Sequence, residues 1–234
     1  MKIAQIAVEL IDSMGDDLRV VNAARVSHDK ESQWEGEEEI LDHDGDVMGA
    51  STLRLSDKDA KLVKYLDRNG HWTPFAHCFA SFRIKAPIFV ARQLVKHQVG
   101  LVWNEVSRRY VDKEPEFWFP KVWRERPESN IKQGSGGAMP EQELWGQSAH
   151  EHCENLLAWY RHAIKCGVAP EQARMLLPLT TMTEWYWSGS LAAFARVCNL
   201  RLDPNAQEAT REVAGHIDKY MRGIFPVSWG ELVK

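Results

Sequence analysis

An α+β fold is predicted: a mixed or antiparallel sheet packed with helices, and a helix-rich C-terminal part. Three observations predict it. Strand-like segments cluster early and helical periodicities late. Nothing in the composition divides the 234 residues in two, so residues 1–234 read as one domain. A chain that is 44% hydrophobic and 26% charged has the makeup of an ordinary globular protein with a substantial core. Ten tryptophans are many for this length, and a thick core is the plainer account of them than stacking surfaces for flat ligands.

Taken in order, residues 3–9 alternate loosely and predict a strand. Asp16 to Arg25 predicts a short helix, with Asp16 and Asp17 suited to its positive N-terminal end. A surface insertion is expected over about 30–55; Glu31 to Asp46 alone holds eight acidic residues. Within it Asp42-His43-Asp44-Gly45-Asp46 imitates a calcium loop but lacks the Gly at the sixth position (Val47) and the Glu at the twelfth (Leu53). Ser56 caps the next helix, Leu62, Val63 and Leu66 form its buried stripe, and Asn69-Gly70 ends it. A strand follows with Cys78, Ala80, Phe82 and Ile84 on one face and Ser81, Arg83 and Lys85 on the other. Pro87 suits the first turn of a helix to about His97, and residues 101–110 read as extended. Four prolines and the Gly134-Ser135-Gly136-Gly137 tract predict an irregular excursion over 113–147. Helices are expected at Ser148–Lys165, Pro170–Leu177, Leu191–Leu200 and from Asp203-Pro204 to about Met221, with a strand-like Leu179–Trp187 between them.

Several function classes are excluded. A formal charge of −4 argues against a general nucleic-acid binder. No apolar run approaches the roughly 18 residues of a membrane span, and the N-terminal segment reaches Glu9 too soon for a signal-peptide core. Cys78, Cys153, Cys166 and Cys198 lie far apart without a C-x-x-C pair, so neither a disulfide framework nor a cysteine zinc site is expected, and a cytoplasmic location is. His150-Glu151-His152 does not make a metal site either: residues two apart on a helix diverge by about 200°.

Chemistry concentrates elsewhere. Read as a strand, Glu105, Ser107 and Arg109 project the same way, beside a helix bearing Gln93, Lys96 and His97. That arrangement alone fits a solvated face with a surface salt bridge as well as it fits a site. Arg174 and Arg201, set among apolar neighbours, shift the balance, because arginines in such settings have an anion or hydrogen-bonding partner. With Lys96 and Arg109 they predict a cationic pocket in a net acidic chain, suited to a small phosphorylated substrate.

These residues resemble the flavin-dependent thymidylate synthases, the ThyX family. The signature of that family, Arg-His-Arg and then Asn-Glu-x-Ser-x-Arg-Tyr, stands here as Lys96-His97-Gln98 and Asn104-Glu105-Val106-Ser107-Arg108-Arg109-Tyr110. Matching segments run along almost the whole chain. They include Ala23-Ala24-Arg25-Val26-Ser27, His71-x-Thr73-Pro74-Phe75-x-His77, Ala86-Pro87 through Arg92-Gln93, Ala173-Arg174-x-x-Leu177-Pro178 and Asn199-Leu200-Arg201-x-Asp203.

The resemblance implies a homotetramer with sites at subunit interfaces, acting on dUMP with FAD, NADPH and methylene-tetrahydrofolate, and using no cysteine nucleophile. It implies that Gln93, Lys96, Glu105, Ser107, Arg108, Arg109, Arg174 and Arg201 hold dUMP. Arg201 and Ser107 stand at the reacting pyrimidine, Arg201 favouring its N3-ionised form and Ser107 hydrogen-bonding rather than attacking. Ser27, Thr73, Lys96, His97, Gln98, Asn104, Glu105, Ser190 and Arg196 fall to FAD, and His71 to the folate region. The chain departs from the family pattern at Lys96 and Gln98, where arginines stand, at Ala76 in place of Glu, and at Ser190 and Ala192 in place of Asn and Arg. The departures fall on the flavin side. Two alternatives accommodate them: a related one-carbon reaction such as dUMP hydroxymethylation, and a non-catalytic homologue that binds dUMP.

Overall fold

The computed structural model describes residues 1–36, 53–127 and 134–234. Most of the expected acidic insertion, with its calcium-like stretch, and residues 128–133 of the excursion lie outside the described residues.

Strand β1 (Lys2–Ile3) pairs in parallel with β5 (Glu116–Phe117), and a separate four-stranded antiparallel sheet has the order β2-β3-β6-β4. Its members are β2 (Ala7–Met14), β3 (Phe79–Pro87), β4 (Leu101–Glu105) and β6 (Met182–Ser190). The α+β expectation holds, yet several boundaries move. The first strand breaks after Ile3 and the sheet is entered only at Ala7, because Ala4 N donates to Phe117 O and leads the chain off to β5.

Alternation decides which face is covered. Ala80, Phe82, Ile84 and Ala86 of β3 lie beside Trp185 and Trp187 of β6, all buried. Over that face pack α1 (Asp17–Arg25), α2 (Asp57–Arg68), α6 (Leu191–Arg201), α7 (Glu208–Ile224) and α8 (Pro226–Leu232). Trp103 of β4 stacks on Trp185 with ring centroids 4.4 Å apart and meets Trp187 edge-on at 5.6 Å, extending the aromatic core to the sheet edge. Six of the ten tryptophans thus belong to or pack against the core. The opposite face is polar, with Ser81 donating to Ser188 at 2.8 Å and Arg83 paired with Glu184.

Helix α2 shows how closely local rules can be obeyed. Ser56 Oγ accepts from Asp59 N, acidic residues fill the first turn, and Gly70 adopts φ +67° beyond the end. Helix α3 (Ile88–Leu94) stops three residues short of the expected His97, and Pro87 is its cap rather than its first helical residue. Helix α4 (Gln142–Lys165) starts six residues before the expected Ser148. Gln142 fixes that start, its amide donating to Trp123 O and Met139 O while its carbonyl accepts from Trp123 N. Helix α5 (Pro170–Ala173) runs into a 3-10 turn at Arg174–Leu176.

Asp203-Pro204 does not open a helix. It makes a turn, Asn205 N donating to Asp203 Oδ1 and Ala206 N to Asp203 O, and α7 begins only at Glu208. Helix α8 is not expected from the sequence at all. Its first-turn amides are satisfied from the far end of the chain: Asp17, itself buried, accepts from Val227 N and Ser228 N, each at 2.8 Å.

Candidate active site

Pairing with β6 carries β4 as far as Val106, whose N donates to Glu184 O; the chain then turns, Tyr110 N donating to Ser107 O. Glu105, Ser107 and Arg109 therefore do not project from one continuous strand as the alternation predicts. The turn joins two of them locally instead, the Arg109 Nε donating to Ser107 Oγ at 3.0 Å. That bond makes Ser107 an acceptor for a guanidinium, and among the described residues no base is hydrogen-bonded to its hydroxyl. Asn104 and Glu105 are neighbours on β4 and so face opposite sides of the sheet.

Glu105 is held at both oxygens. Thr183 Oγ1 donates to Oε1 at 2.8 Å and Trp103 Nε1 to Oε2 at 3.2 Å. Two fixed donors give this carboxylate one orientation despite its exposure; Trp103 shares its face of β4 two residues away, whereas Thr183, 78 positions away, is not foreseeable from the sequence. Glu105 lines a concavity of about 420 Å³ together with Arg108 and Arg174. Its walls carry the pairs Arg83–Glu184 and Lys85–Glu116. Arg108 and Arg174 differ from those cations: each donates to a backbone carbonyl, Lys113 O at 3.0 Å and Glu171 O at 3.1 Å, and among the described residues neither has a carboxylate partner. Two guanidiniums without counter-charge beside a fixed carboxylate make a receptor for an anion that also bears a hydrogen-bond donor.

A second constellation joins the loop after α3 to α6. The Arg201 Nε donates to His97 Nε2 at 3.0 Å. An arginine can only donate, so Nε2 is the acceptor and the proton of the neutral imidazole sits on Nδ1. Burial holds the His97 pKa below the ordinary histidine value, and the charges of Arg201 and Arg196 add to the effect. Burial also lowers Arg201 from its ordinary value, although a guanidinium stays charged. Gln93 Oε1 accepts from the buried Thr210 Oγ1 at 2.5 Å, which ties α3 to α7 and leaves the Gln93 amide NH₂ to other partners. Of the predicted nucleotide residues only Glu105, Arg108 and Arg174 line the 420 Å³ concavity; Gln93, Lys96, Ser107, Arg109 and Arg201 do not, so within one chain the expected cationic pocket is divided.

The predicted cofactor residues divide as well. Ser27 and His71 share a concavity of about 500 Å³ with Arg25 and Lys30. Ser190 and Arg196 line another of about 700 Å³, mainly apolar, with Trp72 and Phe79. Ser190 is buried and its hydroxyl accepts from Ala193 N as the cap of α6, so that hydroxyl already has a structural duty. Arg196 Nη2 donates to Val99 O at 2.7 Å. Lys96, Gln98 and Thr73 are exposed. An aromatic-walled apolar hollow with a guanidinium at hand fits a flat heteroaromatic ring, and a flavin meets that description.

The thiols stand apart. Cys78, Cys153 and Cys198 are buried and burial raises all three, Cys78 to about 12. Cys166 is exposed beyond the end of α4. None lines the 420 Å³ concavity. His150 of the rejected metal motif packs against the Phe119 ring at 4.5 Å, and His152 Nδ1 is 2.6 Å from Ser148 O. Among the described residues no helix is long and apolar enough to cross a membrane.

Comparison with known proteins agrees with this chemistry. A family model described as "Thymidylate synthase complementing protein" matches residues 9–227. The flavin-dependent thymidylate synthase of Thermus thermophilus is 38% identical over 222 residues, 95% of this chain and 73% of that protein. That of Thermosipho africanus is 32% identical over 232 residues, 97% of this chain and 90% of its own. Among solved structures, the UMP/dUMP methylase PolB from Streptomyces cacaoi, bound with 5-Br dUMP, superposes with a TM-score of 0.82 at 26% identity, covering 99% of this chain and 96% of that one. The chain therefore belongs to the flavin-dependent thymidylate synthases, a family of enzymes.

Proposed function

We propose that this protein converts dUMP to dTMP, with methylene-tetrahydrofolate as carbon donor and FAD, reduced by NADPH, as hydride source. The observation that carries the nucleotide assignment is the pair of arginines, Arg108 and Arg174, without carboxylate partners beside the doubly held Glu105. The two guanidiniums hold the phosphate by charge-assisted bonds, and Glu105 accepts from a donor of the nucleotide. Ser107 and Arg109 complete that side as a hydrogen-bonded unit, with Gln93 contributing from α3 and Lys96 from the turn after it.

Arg201 acts on the pyrimidine. With Nε committed to His97, its terminal NH₂ groups are left for the ligand, and a fixed guanidinium would stabilise negative charge as it develops on the ring. No thiolate is required at uracil C6, in keeping with cysteines that burial keeps protonated or that stand outside the concavity. Bound FAD supplies the hydride that completes the methyl group. Ser190 and Arg196 would stand on its ring side, Ser27 and Thr73 on its phosphate-bearing arm, and Lys96, His97, Gln98, Asn104 and Glu105 between, with His71 on the folate side.

The proposal takes the whole chain as one domain and four chains as the working unit, since nucleotide residues that fall into two groups in one chain meet when sites form between subunits. Exposed apolar side chains flanking the site, Val99, Val102, Tyr110 and Met175, are surfaces for such contacts. The four free cysteines suit a cytoplasmic setting.

The test is incubation with dUMP, methylene-tetrahydrofolate, FAD and NADPH, with mass analysis of the nucleotide. A methylated product is expected; a hydroxymethylated one overturns the reading in favour of the related reaction, and unchanged dUMP in favour of a binding protein. Arg201→Ala abolishes turnover and weakens dUMP binding with the fold intact. Normal turnover by that variant removes Arg201 from the site.

A further inference from the structure

The 700 Å³ concavity holds a residue without an assigned role. Trp72 and Phe79 line it and are 59% and 42% exposed, large aromatic faces open to solvent at the mouth of an apolar hollow. Around them the lining is small: Ala76, Gly100, Ala192 and Ala195. Its polar groups are few and mostly engaged. Ser190 caps α6, Asp67 is paired with Lys234, and only Arg196 brings a charge without a carboxylate partner among the described residues. A phosphate or a sugar entering such a hollow would give up water for apolar contacts, at a cost. A flat conjugated ring gains there, because an indole offers a π-face at a small cost in conformational entropy and the guanidinium can meet the ring's polar edge.

We infer that Trp72 binds the flavin ring system by stacking in this concavity, with Arg196 at the ring's polar edge. The inference rests on the flavin dependence proposed above and adds to it the means of ring recognition: a planar heteroaromatic held by an indole from the segment between α2 and β3, rather than by directional side chains at 76, 190 and 192. A stack is tolerant of such small residues, since it needs room more than partners.

Equilibrium titration of the purified full chain tests this with three probes: FAD, riboflavin (the ring without phosphates) and ADP (the arm without the ring). Wild type binds FAD and riboflavin with strongly quenched flavin emission, as stacking on indole produces. Trp72→Ala weakens both by about tenfold or more and restores emission, while ADP binding and the thermal midpoint are unchanged. Trp72→Phe retains most of the affinity with less quenching. Trp72→Ala that binds FAD and riboflavin as wild type does, with the same emission, overturns the inference and leaves the flavin reading standing. Equal loss of ADP and riboflavin, or altered assembly size with flavin binding intact, overturns it in favour of an adenine-side or subunit-contact role. Wild type that binds neither FAD nor riboflavin sinks both the inference and the flavin reading.

Discussion

Replacing His97 by Phe removes one acceptor and keeps the ring volume, so it isolates what the imidazole does for Arg201. The Nε–Nε2 contact is 3.0 Å, and His97 is neutral because burial and then Arg201 and Arg196 disfavour the imidazolium. A hydrogen bond from a charged donor contributes roughly 1.5–3 kcal/mol when buried. Arg201 is half-buried, so solvent screening cuts this to about 1.4 kcal/mol, a tenfold weakening of dUMP binding through loss of the fixed guanidinium. The pH dependence is the sharper signature. The imidazole takes up a proton only as pH falls through its depressed pKa, below the ordinary histidine value; once Nε2 carries it, the acceptor becomes a donor and a third cation stands beside Arg201 and Arg196. Wild-type affinity falls as pH drops through the depressed His97 pKa. The phosphate of dUMP titrates near pH 6 as well (about the usual second ionisation), but it does so equally in both proteins, so their difference reports His97. Stability follows the same sign: the native state binds fewer protons than the unfolded state below about pH 6.5, and wild type loses stability on acidification there while H97F does not. Calorimetric titration of dUMP at a series of pH values, with urea unfolding alongside, measures both. An acid limb of equal size in the two proteins, or unchanged dUMP affinity in H97F, refutes the reasoning.

Asp59→Asn tests the support behind Ser27 and His71. Asp59 is buried and accepts from Arg25, Ser32 and Ser56, and these bonds outweigh the burial that would raise its pKa, so its carboxyl sits below the ordinary value. The variant leaves a largely buried guanidinium without its counter-charge and lowers stability by about 3 kcal/mol, read as a shifted urea midpoint with an unchanged slope. Wild-type stability from this group is present above about pH 4 and is lost as pH falls through the lowered pKa, a limb that D59N lacks; a midpoint equal to wild type contradicts the role assigned to the network. The thiols give a third prediction: iodoacetamide on the native protein modifies Cys166 well before Cys78, Cys153 or Cys198, and thymidylate formation survives that modification. Loss of activity on alkylating Cys166 alone, located by peptide mass mapping, contradicts a thiol-independent reaction.

Where the sequence reads true, the physics is local. The cap Ser56, the acidic first turn and Gly70 are all within the helix they delimit, and the alternation of Ala80, Phe82 and Ile84 needs only the pleat of β3. Where it misleads, contacts outside the local pattern decide. Asp203-Pro204 looks like a helix start, but Arg211 Nη1 donates to Pro204 O at 2.6 Å and Ala206 O at 3.2 Å and holds the segment as a turn. Helix α8 depends on Asp17, about 210 positions away, for its cap. The site shows the same split: the residue types Glu105, Arg108, Arg174 and Arg201 are legible, whereas the Thr183 and Trp103 bonds to Glu105 and the His97–Arg201 contact exist only after folding.

One seam ties the two halves of the proposed site together. At Gly189 an added Cβ would lie 2.5 Å from Gly100 O and 2.5 Å from the Leu101 side chain, so β6 can approach the loop before β4 only without a side chain there. Gly100 has φ +75°, and a Cβ on it would meet Ala193 at 3.2 Å. The loop carrying His97 is thereby pressed onto the first turn of α6, where Ser190 N donates to Gly100 O and Arg196 grips Val99 O. The same helix ends with Arg201, bonded back to His97. Arg196, proposed for the flavin, and Arg201, proposed for the nucleotide, are therefore fixed to one loop by one helix. Any change that lifts the loop from α6 must disturb both ligands at once, whereas a change at Trp72 reaches only the first.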